Sequence, residues 1–134
     1  MTVVGIGVDV VEVDRIERAI ARWGDAFVRR IYTPAEITRA EAGLTPAPRL
    51  AARFAAKEAV MKALGVGWRA LAWREIEITN DPAGRPIVHL HGSAQRIASE
   101  RGVDTVLVAL SHTHDHAVAN AVALAACEVS GRHP

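Results

Sequence analysis

Two lysines flank a glutamate in the stretch from residue 53 to residue 65, which reads RFAAKEAVMKALG. Lys57 and Lys62 are the only lysines of the chain, which otherwise carries its positive charge on arginine. A lysine ammonium group binds phosphate as a compact point charge, whereas an arginine binds it as a planar fork, so the residue type has chemical meaning. With Glu58 between them, the lysines are either paired, directed into a solvated cleft or engaged by a ligand such as a phosphate.

The carboxylates of Asp9 and Glu58 can be interpreted separately, as structural groups, or together, as ligands of one metal ion. Separately, Asp9 can be a helix N-cap with Glu12 completing a D-x-x-E box, and Glu58 can pair with Lys62 four residues later. Together, a carboxylate at a strand end and another on a buried helix suit Mg²⁺, which keeps most of its waters and takes one or two carboxylates plus ligand phosphates. The sequence alone leaves both interpretations open.

The stretch from residue 53 to residue 65 is predicted to be a largely buried helix, because alanine, valine and leucine cover most of its circumference. A stiff loop, Leu44 to Pro48, is expected before it, and Gly65 is expected to end it as the C-cap. Charges on a buried helix are costly unless they are paired or face a ligand. The four charged residues of this helix therefore need partners.

The elements that must position these residues alternate between strands and helices. The sequence TPAE from residue 33 predicts a capped helix start with proline at the first helical position, and Ser93 is the expected N-cap of a later helix. Trp68 and Trp73 are expected to be apolar anchors in an irregular segment. The predicted strands are Val3 to Asp9, Glu75 to Asn80, Pro86 to Leu90, Asp104 to Ser111 and Ala117 to Ala126, and the other predicted helices are Val11 to Trp23, Pro34 to Glu41 and Ala94 to Arg101.

Hairpins among these strands favour an α+β fold, in which an antiparallel sheet packs against a long central helix. Gly5 and Gly7 before a helix also invite a dinucleotide-binding interpretation. Both glycines lie within the predicted strand and the third glycine of that motif is missing, which argues against it.

Arginines spaced three and four residues apart form a basic stripe on the predicted helix from Val11 to Trp23. The stripe comprises Arg15, Arg18 and Arg22, and Arg29 and Arg30 follow it. Acidic residues dilute the stripe, so it is either the solvated face of an amphipathic helix or a dock for an acidic partner, whose approach the charges would speed.

The segment SHTHDH begins at Ser111 and brings three histidines close together in sequence. His112, His114 and His116 would share one face of a continuous strand, as a zinc site requires, but the turn expected there breaks the alternation. A Ser-His-Asp hydrolase is disfavoured because Ser111 and His112 are adjacent and point apart on a strand. The trio Ser111, His112 and Thr113 is better interpreted as a ligand-binding edge at the end of a strand.

The composition is that of a single globular domain spanning residues 1–134, with a loose tail from about residue 128. A net charge of +1 does not suggest general nucleic-acid binding, and Cys127, the only cysteine, rules out an intrachain disulfide. Neither a signal peptide nor an apolar run long enough to span a bilayer is present. We therefore expect a cytoplasmic protein without membrane or nucleic-acid partners.

Four stretches share their sequence, order and spacing with one family. They are GIGVDVVEVDRI (residues 5–16), RFAAKEAVMKALG (53–65), NDPAGRP (80–86) and LSHT (110–113). Through them the chain strongly resembles the holo-acyl-carrier-protein synthases, the small 4′-phosphopantetheinyl transferases of bacterial fatty acid synthesis. The resemblance covers residues 3 to about 126. Ala109 stands where the family often has serine, and the HTHDH continuation is not part of the family pattern, so His114 and His116 receive no role.

The resemblance implies transfer of the phosphopantetheine arm of coenzyme A to a serine of apo acyl carrier protein, with release of adenosine 3′,5′-bisphosphate. It implies that Asp9 and Glu58 hold magnesium against the pyrophosphate and that Lys62 neutralises charge there. The identity of the general base is open, with Glu58, acting through a metal-bound or nearby water, the first candidate and His112 the second. Positions that line the coenzyme A site in the family are matched by Arg53, Lys62, Gly65, Pro86, Ser111, His112 and Thr113.

The resemblance also implies partners. Arg15, Arg22 and Arg30 match the face that receives the acidic recognition helix of the carrier protein, and the family is typically a homotrimer with sites between neighbouring subunits. Two alternatives stay open: a transferase of broader specificity that serves polyketide or peptide synthase carrier domains, and a non-catalytic module that binds an acidic protein. The role of Lys57, an ion pair or a ligand contact, is also open.

Overall fold

The computed structural model describes residues 1–126, so Cys127 and the expected tail lie outside the described residues. Within this range the strands are β1 (Thr2–Glu12), β2 (Ile76–Asn80), β3 (Pro86–Leu90), β4 (Thr105–His112) and β5 (His116–Ala125). The helices are α1 (Val13–Trp23), α2 (Asp25–Ile31), α3 (Pro34–Glu41), α4 (Pro46–Leu64) and α5 (Gly92–Glu100), and a 3₁₀ turn spans Trp73–Glu75.

Strands β1, β5 and β4 form an antiparallel three-stranded sheet in that order, and β2 and β3 pair as a separate antiparallel hairpin. The long helix α4 packs on one face of the three-stranded sheet and contacts all three of its strands. The predicted α+β architecture, with an antiparallel sheet against a long central helix, is confirmed. None of the helices described for residues 1–126 combines the length and apolar character needed to cross a bilayer.

Small residues on the inner face of this sheet let α4 lie directly on its backbone. A Cβ atom on Gly5 would stand 1.9 Å from the carbonyl oxygen of Ala63, and one on Gly7 would stand 2.0 Å from that of Ala59. These glycines therefore allow a close helix–strand approach, which explains the GIG sequence without a nucleotide. The inner face of β5 is likewise built from buried alanines: Ala117, Ala119, Ala121 and Ala123.

Two predicted boundaries near the site are wrong. Helix α4 begins at Pro46, inside the loop expected from Leu44 to Pro48. Prolines fit there because the N–H groups of the first helical turn have no intrahelical partner. Strand β1 continues to Glu12 instead of ending at Asp9, because its last residues pair with the first residues of β5. Gly65 ends α4 in the left-handed conformation (φ 77°), as predicted.

Two smaller expectations also fail. Ser93 is not the N-cap of α5; it lies in the first turn, where its backbone N–H donates to the carboxylate of Glu75 at 3.0 Å. A neighbouring side chain thus performs the capping that sequence assigned to Ser93. Trp68 is 53% exposed and is not an apolar anchor, whereas Trp73 stacks on Phe54 with 4.8 Å between ring centroids.

Candidate functional site

Asp9 and Lys62 join β1 to α4 at the centre of the candidate site. Lys62 Nζ lies 3.3 Å from Asp9 Oδ1 and donates a hydrogen bond to the carbonyl oxygen of Val8 at 2.9 Å. Asp9 lies inside β1, and the N-cap position of α1 belongs to Glu12. The interpretation of Asp9 as a helix cap is therefore wrong, and its carboxylate is available for a role at the sheet–helix junction.

Glu58 lies on α4 one turn before Lys62 and is half-buried. Burial raises the pKa of Glu58, and the negative charge of Asp9 raises it further, while Arg15 and Lys62 act in the opposite direction. The two carboxylates thus lie close enough to repel each other, which a bound cation would relieve. Among the described residues, the ion pair of Lys62 is formed with Asp9 and not with Glu58, so the simple i,i+4 pair is not observed.

The arginine stripe on α1 reaches this site at one end. The guanidinium of Arg15 lies 5.5 Å from the centre of the Phe54 ring, and Arg15 acts on the pKa of Glu58. Further along α1, Arg18 forms an exposed ion pair with Asp14 at 2.9 Å.

Arg22 and Arg30, the other two arginines assigned to the carrier-protein face, are both exposed. Arg22 lies over the ring of Trp23, with 4.9 Å between the guanidinium carbon and the ring centroid, and Arg30 follows on α2. The predicted stripe is thus an exposed basic surface that leads to Glu58.

Arg53 is almost completely buried, at 6% exposure, in the middle of α4. Its Nη2 donates to Asn80 Oδ1 at 2.6 Å, and its Nε is buried without a hydrogen-bond partner among residues 1–126. Burial lowers the pKa of Arg53, but a guanidinium stays charged at any physiological pH. A buried, charged and incompletely bonded guanidinium is chemically suited to a phosphate group.

Among the described residues, no hydrogen bond or ion pair joins Gly65 or Pro86 to the Asp9 carboxylate. The backbone carbonyl of Gly65, at the end of α4, accepts a hydrogen bond from Arg101 at 3.2 Å. Pro86 begins β3 and lines a cavity of about 340 Å³ between the hairpin and β4.

Ser111, His112 and Thr113 lie where β4 ends. The register of β4 and β5 places Ser111 on the outer face of the sheet, away from α4, and His112 on the inner face. The Thr113 hydroxyl accepts from the backbone N–H of His116 at 3.1 Å, which closes the β4–β5 turn. Within residues 1–126, no hydrogen bond or ion pair joins these three residues to Asp9, Glu58 or Lys62.

The three histidines do not share a face. His112 ends β4 on the inner face of the sheet, whereas His116 begins β5 on the outer face, opposite Glu12. His114 lies in the turn between them and contacts Asp115 at 3.1 Å. The turn thus breaks the strand alternation that a zinc site would need.

Comparison with a family profile matches residues 5–124 to the 4′-phosphopantetheinyl transferase superfamily. The chain belongs to this superfamily. The holo-[acyl-carrier-protein] synthase of Solibacter usitatus is 50% identical over 112 residues, which is 83% of this chain and 90% of that protein. The resemblance of the four motifs is thereby confirmed.

Solved structures of superfamily members share the fold. The holo-[acyl-carrier-protein] synthase of Neisseria meningitidis is similar with a TM-score of 0.84 and 37% identity, covering 92% of this chain and 99% of that one. The enzyme of Helicobacter pylori in complex with coenzyme A is similar with a TM-score of 0.79 and 29% identity, covering 89% and 99%.

Lys57, whose role the sequence left open, is structural in this superfamily member. Its ammonium group lies 2.8 Å from Glu36 Oε1 and donates to the backbone carbonyls of Trp73 and Ile76. Burial lowers the pKa of Lys57, and Glu36 opposes that shift. Glu36 is the N3 residue of the predicted TPAE capping box, which is confirmed. It is also the buried partner of Lys57, a contact that the sequence pattern does not indicate.

Asn80 is the other residue whose role sequence reasoning missed. The sequence places it at the end of the predicted strand from Glu75 to Asn80, and the structure shows its side chain bound to Arg53. Its place at the head of the NDPAGRP motif was the available signal.

Proposed function

We propose that this protein transfers the 4′-phosphopantetheine group of coenzyme A to a serine hydroxyl of apo acyl carrier protein in fatty acid biosynthesis and releases adenosine 3′,5′-bisphosphate. The observation that carries this proposal is the meeting of Asp9, Glu58 and Lys62 between β1 and α4, in a chain that matches the superfamily over residues 5–124. The similarity to holo-[acyl-carrier-protein] synthases, including one in complex with coenzyme A, supports the choice of donor and acceptor.

The donor set fits Mg²⁺. Asp9 and Glu58 supply two carboxylates, and no group of three or more histidine, cysteine, aspartate or glutamate side chains suited to a metal occurs among residues 1–126. Mg²⁺ is commonly bound through one or two carboxylates, with waters and substrate phosphates as its other ligands. Asp9 and Glu58 would hold the ion, which when bound supplies positive charge beside the pyrophosphate.

The reaction requires charge neutralisation and one proton transfer. The serine oxygen forms a bond to the phosphorus that carries pantetheine, the bond from that phosphorus to the leaving adenosine bisphosphate oxygen breaks, and the serine proton passes to a base. Lys62 neutralises phosphate charge, and such electrostatic stabilisation is the main catalytic term in phosphoryl transfer. Glu58 is our first candidate for the base and His112 our second.

The remaining assigned residues divide between two ligands. We assign Arg15, Arg22 and Arg30 to the carrier protein, because an exposed basic surface attracts an acidic partner and speeds its association. Coenzyme A is assigned to Arg53, Lys62, Gly65, Pro86, Ser111, His112 and Thr113.

A homotrimer is proposed to complete the site, and the outer face of the three-stranded sheet supports it. Ile6, Val10 and Leu107 on this face are 72%, 61% and 55% exposed, although β1, β5 and β4 are paired side by side. Contiguous apolar surface of this kind marks a protein–protein interface. Neighbouring subunits on this face would also account for the lack of hydrogen bonds between the β4 end and Asp9 within one described chain.

Intact-protein mass spectrometry tests the proposed function. Incubation with coenzyme A, Mg²⁺ and apo acyl carrier protein should add one phosphopantetheine mass to the carrier, and a carrier with its acceptor serine replaced by alanine should gain none. The absence of any mass gain with every divalent metal tried would overturn the proposal. A panel of carrier domains then measures how broad the specificity is.

A further inference from the structure

We infer that Asn80 is a positioning residue, which holds the Arg53 guanidinium in the orientation that engages a phosphate of coenzyme A. This inference rests on the proposed function. Arg53 Nη2 donates to Asn80 Oδ1 at 2.6 Å, and Asn80 Nδ2 donates to the carbonyl oxygen of Gly84 at 3.0 Å. These partners set the amide orientation of Asn80. In the reverse orientation the Asn80 NH₂ group would face the Arg53 donor, and Oδ1 would face the Gly84 carbonyl oxygen.

The hairpin that carries Asn80 has an ordered turn. The Asp81 carboxylate accepts from the backbone N–H groups of Ala83 and Arg85, both at 2.9 Å, and the Asp81 N–H donates to the Arg85 carbonyl at 2.9 Å. Asn80 binds this turn through its amide nitrogen and Arg53 through its oxygen. The position of the guanidinium therefore depends on a segment with its own internal hydrogen bonds.

A second polar attachment fixes the other end of β2 to the same helix. Lys57, one helical turn after Arg53, donates to the carbonyl of Ile76, and its partner Glu36 accepts from the N–H of Ile78 at 2.8 Å. Because residues four apart lie on the same face of a helix, Arg53 and Lys57 hold β2 along α4 at two points. Lys57 fixes the Ile76 end of β2, so Asn80 at the other end is held in position to orient Arg53.

An amide at position 80, in place of a carboxylate, leaves the Arg53 guanidinium with its full positive charge for the phosphate. A guanidinium has five N–H donors, and a neutral acceptor at Nη2 orients it without cancelling its charge. The buried Nε has no partner among the described residues, so donor capacity remains. An aspartate at position 80 would form an ion pair with Arg53 and place negative charge near the phosphate.

Steady-state kinetics on the full chain tests this inference with two substitutions, Asn80→Asp and Asn80→Ala. Asn80→Ala removes the acceptor of the Arg53 hydrogen bond, and since one charged hydrogen bond is worth about 1.5–3 kcal/mol, we expect KM for coenzyme A to rise about tenfold or more. We expect Asn80→Asp to stay folded, since it keeps an acceptor for Arg53, and to raise KM for coenzyme A through its added negative charge. In both variants kcat and the KM for carrier protein should change little. Thr79→Ala is the matched control, because the Thr79 hydroxyl bonds exposed His89 instead of Arg53.

A double-substitution cycle shows whether Asn80 acts through Arg53. In an Arg53→Ala background, Asn80→Ala should have no further effect on KM for coenzyme A. Full additivity of the two effects, or an unchanged KM for coenzyme A in folded Asn80→Asp, would overturn the inference. These results differ from failure of the proposed function itself, in which the unaltered protein neither binds coenzyme A with Mg²⁺ in calorimetry nor modifies the carrier.

Discussion

Lys57 Nζ lies 2.8 Å from Glu36 Oε1, and both side chains are fully buried. Every hydrogen-bonding group of the pair is used: the ammonium also donates to the carbonyls of Trp73 and Ile76, and the carboxylate accepts from the N–H groups of Thr33 and Ile78. A buried ion pair persists only when such bonds compensate for the loss of water. This pair therefore ties α3, α4 and β2 together behind the candidate site.

Replacement of Lys57 by methionine should strongly destabilise the fold. The substitution leaves Glu36 buried without its counter-charge, and removing one partner of a buried pair costs about 3–5 kcal/mol. Urea denaturation monitored by circular dichroism measures the change in the free energy of unfolding. Lys62→Met is the control, because the Lys62 side chain is 53% exposed and its loss should change stability by less than about 1 kcal/mol. Equal stability of Lys57→Met and the unaltered protein would contradict the assigned role.

Gly7→Ala should push β1 away from α4. The added methyl group would meet the Ala59 carbonyl oxygen at 2.0 Å, and backbone can move aside only by shifting the helix. Overpacking of this kind costs about 1–3 kcal/mol, and thermal unfolding measures it. At Gly67 an added Cβ meets nothing within 4 Å, so Gly67→Ala should leave the melting temperature nearly unchanged. A result in which both variants melt alike would argue against close sheet–helix contact.

Glu58→Gln should abolish transfer activity in a protein that stays folded. The amide preserves the shape of the side chain but loses the negative charge proposed to hold Mg²⁺ and to accept the serine proton. Activity is followed by the mass gain of the carrier and folding by thermal unfolding. Removal of divalent cations with a chelator should stop the unaltered enzyme and restoration of Mg²⁺ should revive it. Full activity in Glu58→Gln would refute the proposed role.

Leu107→Glu should disrupt self-association. Leu107 is 55% exposed on the outer face of the sheet, where a proposed neighbouring subunit would bury the new carboxylate unpaired. Light scattering on the unaltered protein should report a trimer, and the variant should report a smaller species. Leu44→Glu is the control, because Leu44 is fully exposed on a loop away from this face. A monomeric unaltered protein would contradict the trimer, and a trimeric Leu107→Glu would exclude this face as its interface.

Glu77 should contribute stability that disappears in acid. A hydrogen bond from the Thr33 hydroxyl at 2.7 Å is the largest cause of its lowered pKa, which burial opposes. A lowered folded-state pKa means that the contribution is present above the ordinary value of 4.5 and is lost as the pH falls through the folded-state pKa. The difference in unfolding free energy between the unaltered protein and Glu77→Gln should be about 1 kcal/mol near neutral pH and should shrink as the pH falls from 4.5 through the folded-state pKa. A difference that is independent of pH would contradict this assignment.

Local signals in the sequence were sufficient for much of the fold. The TPAE capping box, the Gly65 C-cap and the hairpin from Ile76–Asn80 to Pro86–Leu90 all appear as predicted, because each depends on the backbone preferences of a few adjacent residues. Two of the errors fall where a distant element decides: β1 reaches Glu12 because β5 pairs with it, and the Glu75 carboxylate accepts the Ser93 N–H in place of the expected Ser93 cap. The early start of α4 at Pro46 is instead a local preference of proline for the first helical turn.

For this protein, the sequence by itself determined the α+β class and the superfamily and supplied the charged residues of the candidate site, since these follow from local pattern and from motifs. Only the tertiary structure decided what each charge does. Asp9 meets Lys62 across 53 residues of chain, and Lys57 meets Glu36 instead of a ligand. Asn80 holds Arg53 from a hairpin 27 residues away. The physical reason is that the packing of helices and strands decides which charged side chains come into contact. The spacing of these residues along the chain does not specify that packing.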